Sequence, residues 1–123
     1  MLHPDLEIET APGFGEEIND EQDIIELLEG DHVCFTVGDI AMEVEFSPNR
    51  AAFIGWIDSY NDIIFYYDNG SGNHEPVDLI INCCPEERFM CYESEVIRDI
   101  ILHFCRTGER NPKYNWVEDE MAV

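Results

Sequence analysis

Positive charge is what this chain has least of. The first 49 residues carry fourteen carboxylates and no lysine or arginine, and Arg50 is the first cation. Over all 123 residues there are six Lys and Arg against 28 Asp and Glu, a formal net charge of −22. Grip on nucleic-acid phosphates needs clustered basic side chains, and these six are scattered from Arg50 to Lys113. Arg98, Arg106, Arg110 and Lys113 could gather around one helix, but local ion pairs with Glu95, Asp99 and Glu109 account for them better. Direct binding to nucleic acid or to an anionic membrane is therefore not expected. Long apolar runs are missing too: nothing approaches the roughly 18 residues of a membrane span. Residues Met1 to Thr10 hold acids where a secretion signal needs cations and an apolar stretch. The expectation is a soluble, cytoplasmic protein.

Ligand and nucleophile motifs are also absent. The five cysteines (Cys34, Cys83, Cys84, Cys91 and Cys105) are odd in number, two are adjacent, and no C-x₂-C pair occurs. That is not a secreted disulfide framework, so reduced thiols serving as small core residues are expected. Adjacent cysteines on a strand point to opposite faces. His103 and Cys105 lie about 160° apart on a helix, too far round to share a metal or form a nucleophile–base pair. Asp68-Asn69-Gly70 lacks the remaining positions and closing Glu of a calcium loop. Gly70-Ser71-Gly72 lacks the Gly-Lys-Thr of a phosphate loop, and there is no G-x-S-x-G. No catalytic residue, metal or cofactor is expected, and the chain reads as a non-enzyme.

What is present is a globular composition, 45% hydrophobic, and a clear α+β pattern. Residues 1–17, with Pro4, Pro12, Gly13 and Gly15, read as an arm carrying a short edge strand around Leu6–Ile8. A first helix follows, capped by Asn19 with Gln22 three residues on. It buries Ile24, Ile25, Leu27 and Leu28, turns Asp23, Glu26 and Glu29 outward, and stops at Gly30. Val33–Val37 and Ile40–Ser47 alternate as strands, with Gly38-Asp39 as the turn and Glu43 and Glu45 in water. Ala51–Ile57 and Ile63–Tyr67 are apolar on both faces and read as central strands. Val77–Cys83 reads as a strand stopped by Pro85, and Arg88–Tyr92 as a short one. The second helix is capped by Ser94, buries Val96, Ile97, Ile100, Ile101 and Phe104, and ends at Gly108. Leu102 falls on its polar side. Tyr114 and Trp116 open a last strand, and 117–123 form an acidic tail. The fold class is α+β: one mainly antiparallel sheet of about five to six strands in a single domain, with an N-terminal and a C-terminal helix packed on it.

A domain of this size needs a net charge of only about 2–8 for solubility, and a larger excess costs stability through self-repulsion. The excess points to a cationic partner surface, such as that of a protein which itself binds nucleic acid. Tyrosines sit among the acids: Tyr60 between Asp58 and Asp62, Tyr66-Tyr67 before Asp68, and Tyr92 before Glu93. Such mixtures suit a protein interface, where tyrosine anchors and carboxylates steer.

The segment Ser94–Trp116, SEVIRDIILHFCRTGERNPKYNW, carries one further signal. An amphipathic helix ending in Phe104-x-x-Thr107-Gly108, then Arg110, Pro112 and a strand closing on Trp116, resembles the C-terminal signature of the "Imm one" family of bacterial immunity proteins from polymorphic toxin systems. Gly55-Trp56-Ile57 and Ile63–Tyr66 are compatible with it. The resemblance implies a non-enzymatic inhibitor that binds a cognate toxin domain one to one, with several family members facing zinc-dependent nucleic-acid deaminases. Its motif implies scaffold: Phe104 and Trp116 core, Gly108 a helix terminator, Pro112 a turn residue. The expected contact surface draws on Asp58, Tyr60, Asp62, Asp68, Glu86, Glu87 and Glu93 in loops at the strand ends, with Asp23, Glu26 and Glu29 steering. Immunity to a nuclease toxin and DNA mimicry against a DNA-binding protein are the alternatives.

Overall fold

A computed structural model describes residues 2–10, 20–81 and 83–119 of the chain, so Asn19 and the whole 11–17 stretch, with Pro12, Gly13 and Gly15, lie outside the described residues. Six strands lie side by side in the order β1 (Leu6–Thr10), β2 (His32–Val37), β3 (Ile40–Phe46), β4 (Ala52–Asp58), β5 (Ile63–Asp68) and β9 (Asn115–Glu118), each antiparallel to its neighbours. A seventh, β8 (Met90–Cys91), pairs with the start of β4, while β5 pairs with the end of it. β6 (Pro76–Asp78) and β7 (Cys83–Glu86) form a separate hairpin. The α+β architecture is as the alternation predicts.

Register assigns the two faces. Val33, Phe35 and Val37 stand opposite Val44, Met42 and Ile40, and Met42 and Val44 stand opposite Trp56 and Ile54. This face is covered by α1 (Glu21–Leu27) and α2 (Ser94–Thr107), and Ile24, Leu28, Ile97, Ile100, Ile101, Phe104 and Cys105 pack with the strand residues in one buried cluster. The other face carries Glu43 and Glu45 and is partly roofed by the β6–β7 hairpin. There Ala51, Leu79 and Met90 form a smaller buried cluster with Phe53 and Val77, and Tyr66 lies between Phe53 and Phe89 with ring centroids 5.1 and 5.2 Å away.

Several sequence expectations are corrected. The cap of α1 is Asp20, in a reciprocal capping box with Asp23, because the carboxylate of Asp20 accepts from the backbone N–H of Asp23 at 3.1 Å. That arrangement satisfies amides at the helix start and is worth about 1 kcal/mol. α1 ends at Leu27 rather than at Gly30, and Arg50 takes over its C-terminal carbonyls, donating to Leu28 O and Gly30 O at 2.8 Å each. Ser94 is the first residue of α2, not its cap; Glu93 holds that position without a side-chain hydrogen bond. Val77–Cys83 is not one strand but parts of two, and Pro85 lies inside β7. Proline is tolerated there because β7 belongs to a two-stranded hairpin with an unpaired edge. The edge strand expected in the arm is there as β1 and the last strand as β9, but β9 runs on through Val117 and Glu118, which the sequence assigned to the acidic tail. Leu102 is half-buried against the main core, not exposed. Cys34, Cys91 and Cys105 are buried and outside any disulfide, as expected, but Cys84 is exposed and disulfide-bonded.

The C-terminal motif is structural throughout. Phe104 is fully buried. Gly108 adopts φ +76°, donates its N–H to Phe104 O, and sits so close to Val37 that a Cβ would lie 3.1 Å from Cγ1. Its carbonyl accepts from the indole of Trp56 at 3.2 Å. Arg110 stacks on Phe65 and Trp56, 3.6 and 4.7 Å from the ring centroids. Asn111 is buried, and its carbonyl accepts from the Trp116 indole at 3.0 Å. Pro112 lies in the turn that follows.

Candidate functional site

The predicted contact residues do not form one patch. They divide between the two ends of the sheet, separated by the length of β5, which at about 3.3 Å per residue is close to 20 Å.

At one end, the β2–β3 and β4–β5 turns meet through a hydrogen bond from Ser59 N to Asp39 O at 3.1 Å. Asp58 belongs here but is only 8% exposed. Its carboxylate accepts from Tyr60 N, Asn61 N and Asn61 Nδ2, and those bonds hold its pKa below the ordinary aspartate value, the Asn61 side-chain bond most of all. Asp58 is thus spent on shaping the turn. Tyr60, 81% exposed, and Asp62, in the left-handed region at φ +55°, stand at the tip it shapes.

At the other end β5 gives way to β8 along the same edge of β4, and Asn69 joins the two. Its backbone N–H donates to Arg88 O at 2.7 Å, and its amide donates to Glu87 O and Met90 O at 2.9 Å each. The Asp68 carboxylate accepts from Gly70 N, and the Asn69 side-chain carbonyl from Ser71 N, each at 2.8 Å. Gly70 makes this tight loop possible at φ +83°, a conformation that a Cβ would strain. The 3₁₀ turn Glu87–Phe89 follows β7. Here Glu87 accepts from Asn69 Nδ2 and from Ser71 Oγ. Glu86 is paired with His74 and Arg88, and both lower its pKa, His74 more.

These elements enclose an open groove of about 560 Å³, with Tyr67, Tyr92 and Tyr114 as aromatic walls and Glu87 and Glu93 as carboxylates. Among the described residues no lysine or arginine lines it. Tyr67 and Tyr114 meet edge to face, centroids 6.3 Å apart, and the Tyr114 hydroxyl donates to Asp99 at 2.6 Å. That bond, followed by burial, pushes the Tyr114 phenol up to about 12. Tyr67 is raised further, by burial first and then by Cys91, Glu93 and Tyr114. Tyr92, 54% exposed, stands at the rim and is raised by burial and by the charge of Glu87. The groove is therefore a place of negative potential with neutral phenols. The Cys91 thiol beside it is held neutral by burial, which disarms it as a nucleophile.

The α1 acids are spread along the helix, whose start is tied through Glu21 to Arg106 at the far end of α2. Glu29 borders a cleft of about 130 Å³ shared with Arg50, Ser94 and Arg98. Glu26 is exposed, whereas Asp23 serves the capping box. Of the predicted set, the structure brings together Asp68, Glu87 and Glu93, with Glu86 and Glu29 nearby, and leaves Asp58, Tyr60 and Asp62 at the far end. Sequence reasoning missed Asn69, Ser71 and Tyr114 as lining residues and noted Tyr67 only as one of the tyrosines among the acids. Asn69 and Ser71 sit in a stretch that matches neither a calcium nor a phosphate loop and so carries no sequence signal of a site, and the meeting of Tyr114 with Tyr67 depends on β9 pairing with β5, where Tyr67 faces Trp116.

Among the described residues no three of His, Cys, Asp or Glu are placed to hold a metal ion, and no helix is long and apolar enough to cross a membrane. Comparison with protein-family models, with curated proteins and with solved structures finds no match.

Proposed function

We propose that this chain is a cytoplasmic immunity protein. It binds a cognate bacterial toxin domain, a nucleic-acid deaminase acting on DNA cytosine, and inhibits it one to one by capping the basic active-site groove. It performs no chemistry itself, and any zinc in the complex belongs to the toxin. The observation that carries the reading is the pairing of an uncompensated charge of −22 with a tyrosine-walled groove that no cation lines. The C-terminal resemblance supports it, because the residues that carry that motif are occupied in the scaffold and leave the acidic surface to vary with the partner. A deaminase presents cations along its substrate path, and an acidic cap is steered to such a surface at up to about 10⁸–10⁹ M⁻¹s⁻¹ at low salt.

The test is titration of the purified chain against the toxin domain encoded beside it, following cytosine deamination in single- and double-stranded DNA at two salt concentrations. Tight one-to-one binding that abolishes deamination is the expected result. Tight binding to a nuclease would keep immunity and discard the deaminase. Absence of binding at either salt, with inhibition of several unrelated DNA-binding proteins, would replace immunity with DNA mimicry.

A further inference from the structure

We infer that the tyrosine groove holds an arginine side chain of the partner; the inference rests on the reading above in taking the partner to be a basic protein. The argument is one of charge and shape. At about 560 Å³ the groove lies within the range of roughly 300–1,000 Å³ that receives organic groups rather than bare ions. Its walls are aromatic faces and its charged groups are both negative. A cation over a tyrosine ring gains from the ring quadrupole, and a carboxylate at the same place adds a charge-assisted hydrogen bond.

The arrangement favours guanidinium over ammonium. Arginine is planar, stacks on aromatic rings and reaches carboxylates with two parallel N–H groups, whereas lysine is a strongly hydrated point charge. The chain already treats its own arginines in this way. Arg50 lies 4.1 Å from the Phe46 ring, Arg88 lies 4.3 Å from Phe89, and Arg110 stacks on Phe65 and Trp56. The groove repeats this combination of ring and carboxylate without an arginine of its own. Lys113, 5.7 Å from the Tyr114 ring and 3.8 Å from Asp99, is not among the lining residues. Glu87 is already oriented, since Asn69 and Ser71 each donate to one of its oxygens. Little side-chain freedom remains to be lost when a guanidinium arrives.

Two experiments decide it. In the first, N-acetyl-arginine amide and N-acetyl-lysine amide are titrated into the ¹⁵N-labelled chain. Shifts concentrated at Asn69, Ser71, Glu87, Tyr92 and Glu93, larger for arginine and reduced in Glu87→Gln/Glu93→Gln, are expected. Shifts spread over the acidic surface, or equal for the two probes, would overturn the assignment whatever the toxin does. In the second, the toxin domain is bound by Glu87→Gln/Glu93→Gln and by Tyr92→Ala, each checked for an unchanged fold by its amide spectrum. Each should weaken the complex roughly tenfold. Wild-type affinity in both variants would remove the groove from the interface and leave the immunity reading standing. A wild-type chain that fails to bind the toxin would instead remove the immunity reading, and the amide titration would still judge the groove.

Discussion

Asn69 joins the fold to the groove, and its replacement tests both. Asn69→Ala removes the donors to Glu87 O and Met90 O at 2.9 Å and the acceptor for Ser71 N at 2.8 Å. The backbone N–H that donates to Arg88 O is kept. Each lost bond contributes about 0.5–1.5 kcal/mol net. Water can reach part of this half-buried site and replace some of them, so the loss should be about 2 kcal/mol. For a domain of this length that corresponds to a fall in Tm of about 6–10 °C. Asn69→Asp should be worse than alanine. It keeps the acceptor for Ser71 but turns a negative group toward two carbonyls and the Glu87 carboxylate. Urea unfolding should show a lower midpoint with an unchanged slope, and in both variants Glu87 should lose its orientation and the groove its response to arginine amide. An Asn69→Ala loss below about 0.5 kcal/mol, or an aspartate variant more stable than the alanine one, would refute the assignment of Asn69 as the join between β5 and β8.

Gly108→Ala forces a Cβ into a φ +76° position 3.1 Å from Val37 Cγ1 and should cost about 2 kcal/mol in thermal unfolding. Glu21 makes two 2.7 Å hydrogen bonds with Arg106, which lower its pKa. Its contribution is therefore present above the ordinary glutamate range, about 4.3, and is lost as pH falls through the lowered folded value, so Glu21→Gln should be destabilised at neutral pH and match wild type in strong acid. Absorbance titration in alkali should find Tyr66, raised mainly by burial, and Tyr114, raised mainly by its bond to Asp99, ionising only at about 12; their stabilising contribution is lost as pH rises from the ordinary 10.0 towards that value. Because the two ends of the sheet are about 20 Å apart and charges are screened over about 8 Å at physiological salt, Glu93→Lys should slow association with the proposed toxin partner about tenfold, whereas Asp62→Lys should leave the rate nearly unchanged.

The strands β2 and β3 and the helix α2 were legible because each shows its period on a buried face: Val33, Phe35 and Val37 against Ile40, Met42 and Val44, then Ile97, Ile100, Ile101 and Phe104. Short elements without such a period were read less well. Residues 76–91 contain two strand fragments, a 3₁₀ turn and a third fragment of two residues, and their conformation is set by tertiary hydrogen bonds such as Arg88 N to Asn73 O and Ile80 N to Phe46 O. The composition of the site was legible, acids with interleaved tyrosines, but its assembly was not. Asp58 looks like an exposed loop acid in sequence, yet three local donors fold it inward. Tyr114 and Tyr67 are 47 residues apart in the chain and meet only because β9 closes on β5.

The placement of the cations explains why folding does not relieve the charge. Arg50 closes the end of α1 and pairs with Asp31, Arg88 lies on Phe89 beside Glu86, and Arg106 ties α2 to α1 through Glu21. Arg110 fills the space over Phe65 and Trp56, where burial lowers its pKa, and Lys113 pairs with Asp99. Arg50, Arg106, Arg110 and Lys113 thus bridge segments distant in sequence, whereas Arg88 stays within residues 86–89. A surface selected only for solubility would intersperse both signs. Here five of the cations are engaged by groups of the chain itself, and Glu87 and Glu93 face a groove that, among the described residues, has no positive lining residue. The resulting repulsion is a standing cost to the folded chain. A partner bearing an arginine at the groove would lower that cost on binding, so part of the affinity would come from relieving self-repulsion within this chain rather than from contacts alone.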